Sequence, residues 1–401
     1  MHLTQGDSLV KQGQLEPAIA EYSQAIELHP NFSSAYKARG LAYFNKGQWD
    51  LVITDLNNAV ELAPKTATDL NPKLATAYSN RGQEYNRNWR YDLAIRDFTN
   101  AIELDPGSAS ARIYAERGKA YLELGNTISA RSDYNRAIDL DPKLLTGQEL
   151  ADIMSRGCLK ITTVSMDIDA TMIVVVSEGS IVVSLTAPMK GSGVVDYNNK
   201  KMRIALTLWL DLPGEEKKES VQHMYVIDGW AYNYAKWEGA EGWFKNELDD
   251  TSWETQDQFF EQRELLKTTM DITLLGSEKI DGVDCHVFLI KPDLDVLTKY
   301  FSAQYQQMGI GLSKDTLDKL CKKTVEIKEW ITKDEYLPVK IDANMVFETA
   351  SGETMPQGSS VSPKNINHTM KIQLKFKDFN KPVVIDLPPE AFGAKERSVG
   401  R

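Results

Sequence analysis

The sequence predicts two domains: an all-α stack of helix pairs, followed by an α+β domain with a curved antiparallel sheet. The first is indicated by a six-residue phrase ending in proline that occurs four times within residues 1–143. A recurrence of about 34 residues is typical of stacked helical units. The second is indicated by apolar residues that alternate with polar ones along many segments after about Ile161.

The repeated phrase closes at Pro30, Pro64, Pro106 and Pro142, which are 34, 42 and 36 residues apart. Each proline is expected to end a helix, because it lacks the N–H that a continuing helix needs. Alignment on the prolines puts small and aromatic residues into shared columns, which predicts closely paired helices with aromatic rings between neighbouring pairs. The columns are Gly6, Gly40, Gly82 and Gly118; Tyr43, Tyr85 and Tyr121, with Leu9; Ala18, Ala94 and Ala130, with Val52; Tyr22, Phe98 and Tyr134, with Leu56; and Ala25, Ala59, Ala101 and Ala137.

These columns resemble tetratricopeptide repeats, four of which would cover residues 1–143. The pattern departs in length, since residues 65–74 insert eight residues before the third unit and two more precede the fourth. We expect loops or helix extensions there. The resemblance implies a concave groove that takes a peptide or helix from a partner protein. The predicted groove residues are Lys37, Leu41, Phe44, Asn80, Gln83, Arg87, Arg112, Glu116 and Lys119.

One variant of this family clamps the C-terminal carboxylate of a chaperone with basic and Asn side chains. Lys37, Asn80 and Arg112 fall on clamp positions, whereas Leu41 and Glu116 do not match. An acidic side chain would repel a carboxylate ligand. The sequence therefore favours a groove with another ligand, or with none, over the clamp.

The first unit begins at its third position, because Gly6 occupies the place of an eighth residue. A leader or further repeats upstream are therefore expected, and the start of the chain does not indicate a location. After Pro142, residues 144–160 are predicted to connect the domains. Within them, apolar residues at helical spacing predict a short helix over 146–159 that caps the array or begins the next domain.

The second domain is predicted over residues 161–395, with 396–401 as a tail. Clean alternation over 201–210, 339–347 and 370–376 indicates strands of an antiparallel sheet with one solvated face. Asp228-Gly229, Asp281-Gly282 and Asn198-Asn199 are typical of the turns between such strands. Aromatic and aliphatic residues at helical spacing predict two helices, over 255–268 and 293–307.

The order of segments in this domain resembles the LolA-like group of bacterial lipoprotein carriers, in particular the LppX/LprG-type lipoproteins. The resemblance is carried by DYNNKKM (196–202), YVIDGWAYNYAKWEGAEGWFK (225–245), GSEKIDGVDCHVFLIKP (276–292), KEWITKDEYLPVKIDANM (328–345) and PVVIDLPPEAF (382–392). It implies an unclosed β-barrel around an apolar cavity for acyl chains, and a location outside the cytoplasm or in the cell envelope, with a cytoplasmic location as the alternative. The predicted cavity residues are Met202, Ile204, Leu206, Leu208, Ile341, Met345, Phe347, Ile372 and Leu374.

Two other functions stay open at this point. The same apolar residues can pack into a solid core, which would leave a structural or assembly scaffold. The aromatic stretch Trp230, Tyr232, Tyr234, Trp237 and Trp243 can bind cell-wall carbohydrate if its rings are exposed and coplanar. Cross-strand pairing is the other use of such rings.

Charge and motif content exclude several classes of function. Residues 1–143 carry 16 basic and 18 acidic side chains and the remainder carries 30 and 39, so nucleic acid is not an expected partner. No apolar run approaches the ~20 residues of a membrane span. The five histidines and three cysteines show no metal-ligand spacing, and no phosphate loop, nucleophile elbow or dinucleotide fingerprint occurs. We expect no metal, no cofactor and no enzymatic activity.

Overall fold

The computed structural model describes residues 1–107, 109–158, 161–178, 181–211, 216–237, 240–248, 271–292, 324–350 and 365–396. The chain divides into two compact units, Met1–Leu145 and Thr146–Arg401. The first consists of helices and the second is built on one large sheet. The fold class is the predicted one, a helical array followed by an unclosed, mostly antiparallel sheet.

The first unit, called the helical array below, consists of helix pairs. Its helices are α1 His2–Lys11, α2 Leu15–Leu28, α3 Ser33–Asn45, α4 Trp49–Leu62, α5 Ala67–Arg87, α6 Tyr91–Leu104, α7 Ala111–Glu123 and α8 Thr127–Leu140. The second helix of each pair ends two residues before a proline of the repeated phrase. The intervening residue leaves the helical conformation, with φ between −150° and −140°, because the following proline ring disfavours the helical region for the residue before it.

The glycine column explains how closely the helices of a pair approach. A Cβ added at Gly82 would lie 2.9 Å from the ring of Phe98, and one at Gly40 would lie 2.7 Å from Leu56. Phe98 is fully buried and also belongs to a cluster with Ala120 of the next unit. The aromatic column therefore packs on the glycine of its own unit and on the following unit, which stacks the pairs in register.

The eight-residue insertion forms helix rather than loop. Residues Pro64–Thr66 make one 3₁₀ turn, and α5 begins directly after it and continues for 21 residues through Pro72. Leu70 and Leu74 are each 1% exposed and pack with Leu56 in the core between α4 and α5. The insertion is therefore part of the packed array and not an appended loop.

The second unit contains α9 Gly147–Cys158 and a sheet of twelve described strands. The strands are β1 Thr163–Glu178, β2 Ile181–Asp196, β3 Lys201–Leu210, β4 Lys218–Ile227, β5 Trp230–Trp237, β6 Ala240–Glu247, β7 Asp271–Ile280, β8 Val283–Lys291, β9 Thr324–Thr332, β10 Pro338–Ala350, β11 Asn365–Lys377 and β12 Lys395–Glu396. Their order is β12-β6-β5-β4-β3-β2-β1-β11-β10-β9-β8-β7, and only β12 pairs in parallel. The chain thus returns to the centre of the sheet, where β1 pairs with β11.

The predicted turns join neighbouring strands. Asp228-Gly229 connects β4 to β5 with φ of 53° and 79°, and Asp281-Gly282 connects β7 to β8 with φ of 49° and 87°. Two successive positive φ values are the geometry that favours Asp-Gly in a two-residue hairpin. The helix predicted over 146–159 is α9, which packs against β7. The helices predicted over 255–268 and 293–307 lie outside the described residues.

Candidate functional site

Three buried ion pairs hold the helices that carry the predicted groove residues. Arg81 donates from Nε and from the terminal nitrogen to both carboxylate oxygens of Asp97, at 2.7 and 2.8 Å, and Asp97 is 2% exposed. Arg39 with Asp55 and Arg117 with Asp133 repeat these two distances, each across 16 residues. Each pair joins the first and second helix of one unit with a bidentate, charge-assisted contact.

Each of these arginines also lies between two tyrosines of its own helix. The guanidinium of Arg81 is 5.5 Å from the ring centroid of Tyr78 and 5.6 Å from that of Tyr85. The corresponding rings are Tyr36 and Tyr43 around Arg39, and Tyr114 and Tyr121 around Arg117. The sequence carries a signal for this arrangement, since Tyr-x-x-Arg-Gly-x-x-Tyr recurs in units two, three and four.

The third nitrogen of each arginine reaches toward the preceding unit. Arg39 donates to the hydroxyl of Ser23 at 2.9 Å and Arg117 to that of Thr99 at 3.0 Å. Arg81 instead donates to the carboxylate of Asp50 at 2.8 Å. These bonds link consecutive units and orient the first helices, on which the predicted groove residues lie.

The nine predicted groove residues lie three each on α3, α5 and α7. Arg87, Arg112 and Lys119 are exposed, and the other six are half-buried. Four of the nine are cationic and one, Glu116, is acidic. This local excess of positive charge contrasts with the net charge of −11 for the chain.

Two of these residues are already engaged inside the array. The ring of Phe44 lies edge-on to Trp49 at 5.6 Å, and the ammonium of Lys73, from the inserted part of α5, lies 4.7 Å from its centroid. Glu116 accepts from the side-chain amide of Asn86 at 3.1 Å and lies 3.9 Å from Arg112. The Glu116 carboxylate therefore lies beside the guanidinium of Arg112, which is one of the three residues at clamp positions.

In the second unit, strand register places the predicted cavity residues whose side chains are described on one face of the sheet, and the Phe347 side chain lies outside the described ones. Directly opposed residues of antiparallel neighbours share a face. One such row runs Leu206–Gly191–Ile168–Leu374–Ile341, from β3 to β10. The row beside it runs Leu208–Met189–Ala170–Ile372–Ala343. We call this side, with the predicted cavity residues on β3, β10 and β11, the apolar face.

Burial changes along the apolar face. Met202, Leu374 and Ile341 are 5 to 8% exposed and belong to a packed cluster with Met166 and Val195. Ile204, Leu206, Leu208 and Ile372 are only half-buried. Met345, farther along β10, is also 8% exposed and packs with Val325 in a second cluster. The β10 side of the face is therefore packed, and β3 carries most of the apolar side chains that retain accessible surface.

The opposite face is solvated and charged. Along the central strands it carries Asp167, Asp169, Lys190, Asp342 and Lys377. The ammonium of Lys377 contacts Asp167 at 2.7 Å, and that of Lys340 contacts Asp342 at 2.8 Å. The alternation in sequence thus separates an apolar side from a polar one, as a half-buried antiparallel sheet requires.

Two polar residues are buried on the apolar face, and their burial was not predicted from the sequence. His286 on β8 and Glu329 on β9 are both 0% exposed. The His286 ring stacks on Tyr336 with centroids 6.2 Å apart and lies edge-on to Phe288 at 6.1 Å. The burial of Glu329 is indicated by its position in the strand. It belongs to the same every-second-residue series as the apolar Val325, Ile327 and Ile331, which lie on the same side of β9.

Four residues of the aromatic stretch, Trp230, Tyr232, Tyr234 and Trp243, lie on the solvated face by strand register. The rings of Tyr234 and Trp243 are 5.2 Å apart and tilted by 42°, and those of Tyr225 and Trp243 are 5.9 Å apart and tilted by 51°. Tyr225 is buried, and Trp230, Tyr232, Tyr234 and Trp243 are half-buried. Tyr234 and Trp243 therefore do not form a coplanar pair.

Family models match the helical array. One described as "TPR repeat" matches residues 6–47, and one described as "Tetratricopeptide repeat" matches 75–108 and 111–144. These stretches are tetratricopeptide repeats. Repeats of this kind indicate a protein-interaction role, and the Arg–Asp pairs hold the repeat helices that would present the binding residues.

Solved structures give further likenesses. The chain is similar to a crystal structure of MamA, at 23% identity over 37% of this chain and 80% of that one, with a TM-score of 0.27. It is similar to MamA residues 41 to the end from Desulfovibrio magneticus RS-1, at 19% identity over 38% and 80%, with a TM-score of 0.27. It is also similar to LprF from Mycobacterium bovis, at 12% identity over 60% and 96%, with a TM-score of 0.32. No curated protein matches it.

Beside the tetratricopeptide repeats and the sheet, the chemistry of the described residues is sparse. Among them, no three His, Cys, Asp or Glu side chains are grouped so as to hold a metal ion. Cys285 is a free, buried thiol, and burial raises its pKa. Within the described residues, no helix is long and apolar enough to cross a membrane.

Proposed function

We propose that this protein is a non-catalytic binding protein of the bacterial cell envelope. Its tetratricopeptide repeats dock a protein partner, and its sheet binds the acyl part of a hydrophobic or lipid-like ligand. The observation that carries the ligand proposal is the apolar face, which is continuous by register from β3 to β10 and half-buried along Leu206, Leu208 and Ile372. We assign docking to residues 1–143 and ligand binding to 161–395, with 144–160 as the connection and 396–401 as a tail.

The predicted groove supports an acidic peptide or helix as the docked segment. Lys37, Arg87, Arg112 and Lys119 project from three consecutive first helices, against the single acid Glu116. Charge of one sign along a cleft steers an oppositely charged partner and raises the rate of association. Glu116 is hydrogen-bonded to Asn86 and lies beside Arg112. Because its negative charge would repel a single terminal carboxylate bound there, that ligand is less favoured.

The ligand proposal predicts that apolar compounds bind to the full chain and that bulk on the apolar face displaces them. Native mass spectrometry of the purified chain, followed by organic extraction, should recover a bound lipid. Leu206→Trp combined with Ile372→Trp should abolish the bound mass, because both side chains are half-buried on that face.

Thr207→Trp is the matched control, since Thr207 is adjacent to Leu206 in β3 and belongs to the opposite face. It should leave the bound mass unchanged. An unliganded mass that does not change when palmitate or phosphatidylglycerol is added would contradict the ligand proposal. Equal loss in both variants would contradict its placement on the apolar face.

The alternative with a specific observation behind it is a scaffold whose sheet holds no ligand. The packed cluster around Met166, Val195 and Met202 shows that part of the apolar face is a solid core. An unliganded chain that still captures a partner through its repeats would support this alternative.

A further inference from the structure

The side chain of Asn86 departs from the pattern of the repeats. Counted from the glycine column, the equivalent positions of the other three units hold Val10, Phe44 and Leu122, so this column is otherwise apolar. Asn86 lies near the end of α5 and is 9% exposed. Burial of a polar group is unfavourable unless its atoms are bonded, so the bonds of this amide decide what the residue contributes.

Only the donor side of the Asn86 amide is bonded within the part of the chain that the structure describes. Its Nδ2 donates to the main-chain oxygen of Glu116 at 2.9 Å and to the Glu116 carboxylate at 3.1 Å. These two acceptors fix the orientation of the amide, because the reversed amide would turn its oxygen toward both of them. Oδ1 is buried, and no donor of the described residues bonds to it. An N–H from outside the chain would supply the missing bond.

The amide lies beside the predicted groove, because its partner Glu116 is the single acid among the predicted groove residues. Phe44, at the equivalent position of α3, also belongs to that set. The Glu116 side chain is 24% exposed, and its oxygen is 3.9 Å from Arg112, whereas a close ion pair measures about 2.7–2.9 Å. Rotation of this carboxylate toward solvent would uncover the Asn86 amide to a group bound in the groove.

The charge of the groove indicates which donor suits Oδ1. Lys37, Arg87, Arg112 and Lys119 give the groove an excess of positive charge. This charge repels a Lys or Arg side chain of a partner and attracts an acidic segment, so a neutral N–H is favoured as the donor. A helix uses its main-chain N–H groups internally, whereas an extended segment leaves them available.

We propose that Asn86 is a specificity-determining residue of the groove that binds the main chain of the docked acidic segment. The segment is extended where it passes α5 and α7, and one of its main-chain N–H groups donates to Oδ1 of Asn86. This inference rests on the proposed function, because it requires an acidic segment in the groove.

Peptides selected on the full chain from a random display library supply the probe. The proposed function predicts that they are rich in Asp and Glu, and that they bind more weakly to a variant with Lys37→Glu and Arg87→Glu. Selected peptides without acids, or binding that this variant leaves unchanged, would contradict the proposed function and this inference together.

Fluorescence anisotropy with a selected acidic peptide tests Asn86 itself. Asn86→Leu, which restores the residue of the fourth unit, should raise the dissociation constant about tenfold. N-methylation of one peptide residue should raise it by a similar factor, and should have no further effect on the Asn86→Leu variant. An acidic peptide that binds equally to the wild type and to Asn86→Leu would overturn the inference and leave the proposed function standing. A coupling to truncation of a peptide side chain, with none to N-methylation, would overturn the main-chain assignment.

Thermal unfolding separates recognition from a purely structural role. Asn86→Leu should keep or raise the unfolding midpoint, because it replaces an unsatisfied buried acceptor by an apolar side chain. Asn88→Leu is the control, since Asn88 is exposed and follows the end of α5. It should bind the peptide as the wild type does. A lowered midpoint of Asn86→Leu with unchanged peptide affinity, or an equal loss of affinity in Asn88→Leu, would overturn the proposal.

Discussion

At the scale of single residues, the array depends on buried charge. Arg81, Tyr78, Tyr85 and Asp97 form one connected cluster, in which the Asp97 carboxylate raises the pKa of the guanidinium against the opposing effect of burial. A buried ion pair contributes little net stability compared with apolar residues of the same shape, but removal of one partner leaves an uncompensated charge. The pairs therefore make units two, three and four intolerant of change at Asp55, Asp97 and Asp133, respectively.

We expect Asp97→Asn to lower the free energy of unfolding of the array by about 1–3 kcal/mol, because the half-buried Arg81 is left with the exposed Asp50 as its ionic partner. Denaturant titration followed by the helical circular dichroism signal measures this. Glu103→Gln is the control on the same helix, since Glu103 is exposed and should change stability by less than about 0.5 kcal/mol. Equal small effects in the two variants would show that the pair is not structurally required.

At the scale of elements, α5 shows how an insertion is absorbed. The added residues continue the helix through Pro72 and bury Leu70 and Leu74 against α4. The same segment puts Lys73 over Phe44 and so covers part of the predicted groove. The insertion therefore contributes both to the stability of the array and to the shape of the surface offered to a partner.

We expect Leu74→Ala to cost about 2–5 kcal/mol, because Leu74 is fully enclosed and its truncation leaves a cavity. Leu62→Ala, at a position 39% exposed, should cost less than half as much. Chemical denaturation of both variants measures the difference. A Leu74→Ala protein as stable as the wild type would indicate that the inserted turns of α5 are not packed.

The β7 edge of the sheet has a feature that limits further strand pairing. β7 ends the strand order and contains a bulge at Leu275, with Gly276 at φ 141°. A bulge twists an edge strand away from further pairing. The backbone of Ile272, in the same strand, lies against Gly147 at the start of α9. One end of the sheet is therefore protected from strand addition.

At the scale of the whole molecule, the proposed function assigns two kinds of recognition to two units. The repeats would bind a partner through charged side chains held at fixed positions. The apolar face would bind a ligand by burying apolar surface, which requires no particular direction of contact. Binding to the face should therefore follow the apolar area removed from water and not the chemistry of a head group. This leads to a quantitative expectation for ligand series.

We expect affinity for saturated fatty acids to rise about fourfold with each added methylene, since each contributes about 0.8 kcal/mol, until the accessible part of the apolar face is covered. Displacement of a fluorescent fatty acid from the full chain measures this. The Leu206→Trp, Ile372→Trp variant should lose the dependence on chain length. An affinity independent of chain length would show that the bound compound is held through its polar end.

Local pattern determined much of this protein from sequence alone. The prolines set the helix ends, the glycine column set the helix approach, and alternation assigned the cavity candidates of each strand to one side. The Arg–Asp pairs were not predicted, although their 16-residue spacing also recurs in the sequence. All of these depend on contacts within a helix, a strand or a pair of adjacent helices, whose geometry has a fixed period.

Only the tertiary structure decided how those sides combine. β1 pairs with β11, so that Ile168 and Leu374 become direct neighbours and join the apolar sets of β3 and β10 into one face. The tertiary structure also places Lys73 over the ring of Phe44 and Tyr336 over the ring of His286. Contacts between distant segments depend on the balance, over the whole chain, between apolar burial and the loss of conformational entropy. This balance leaves no periodic pattern in the sequence.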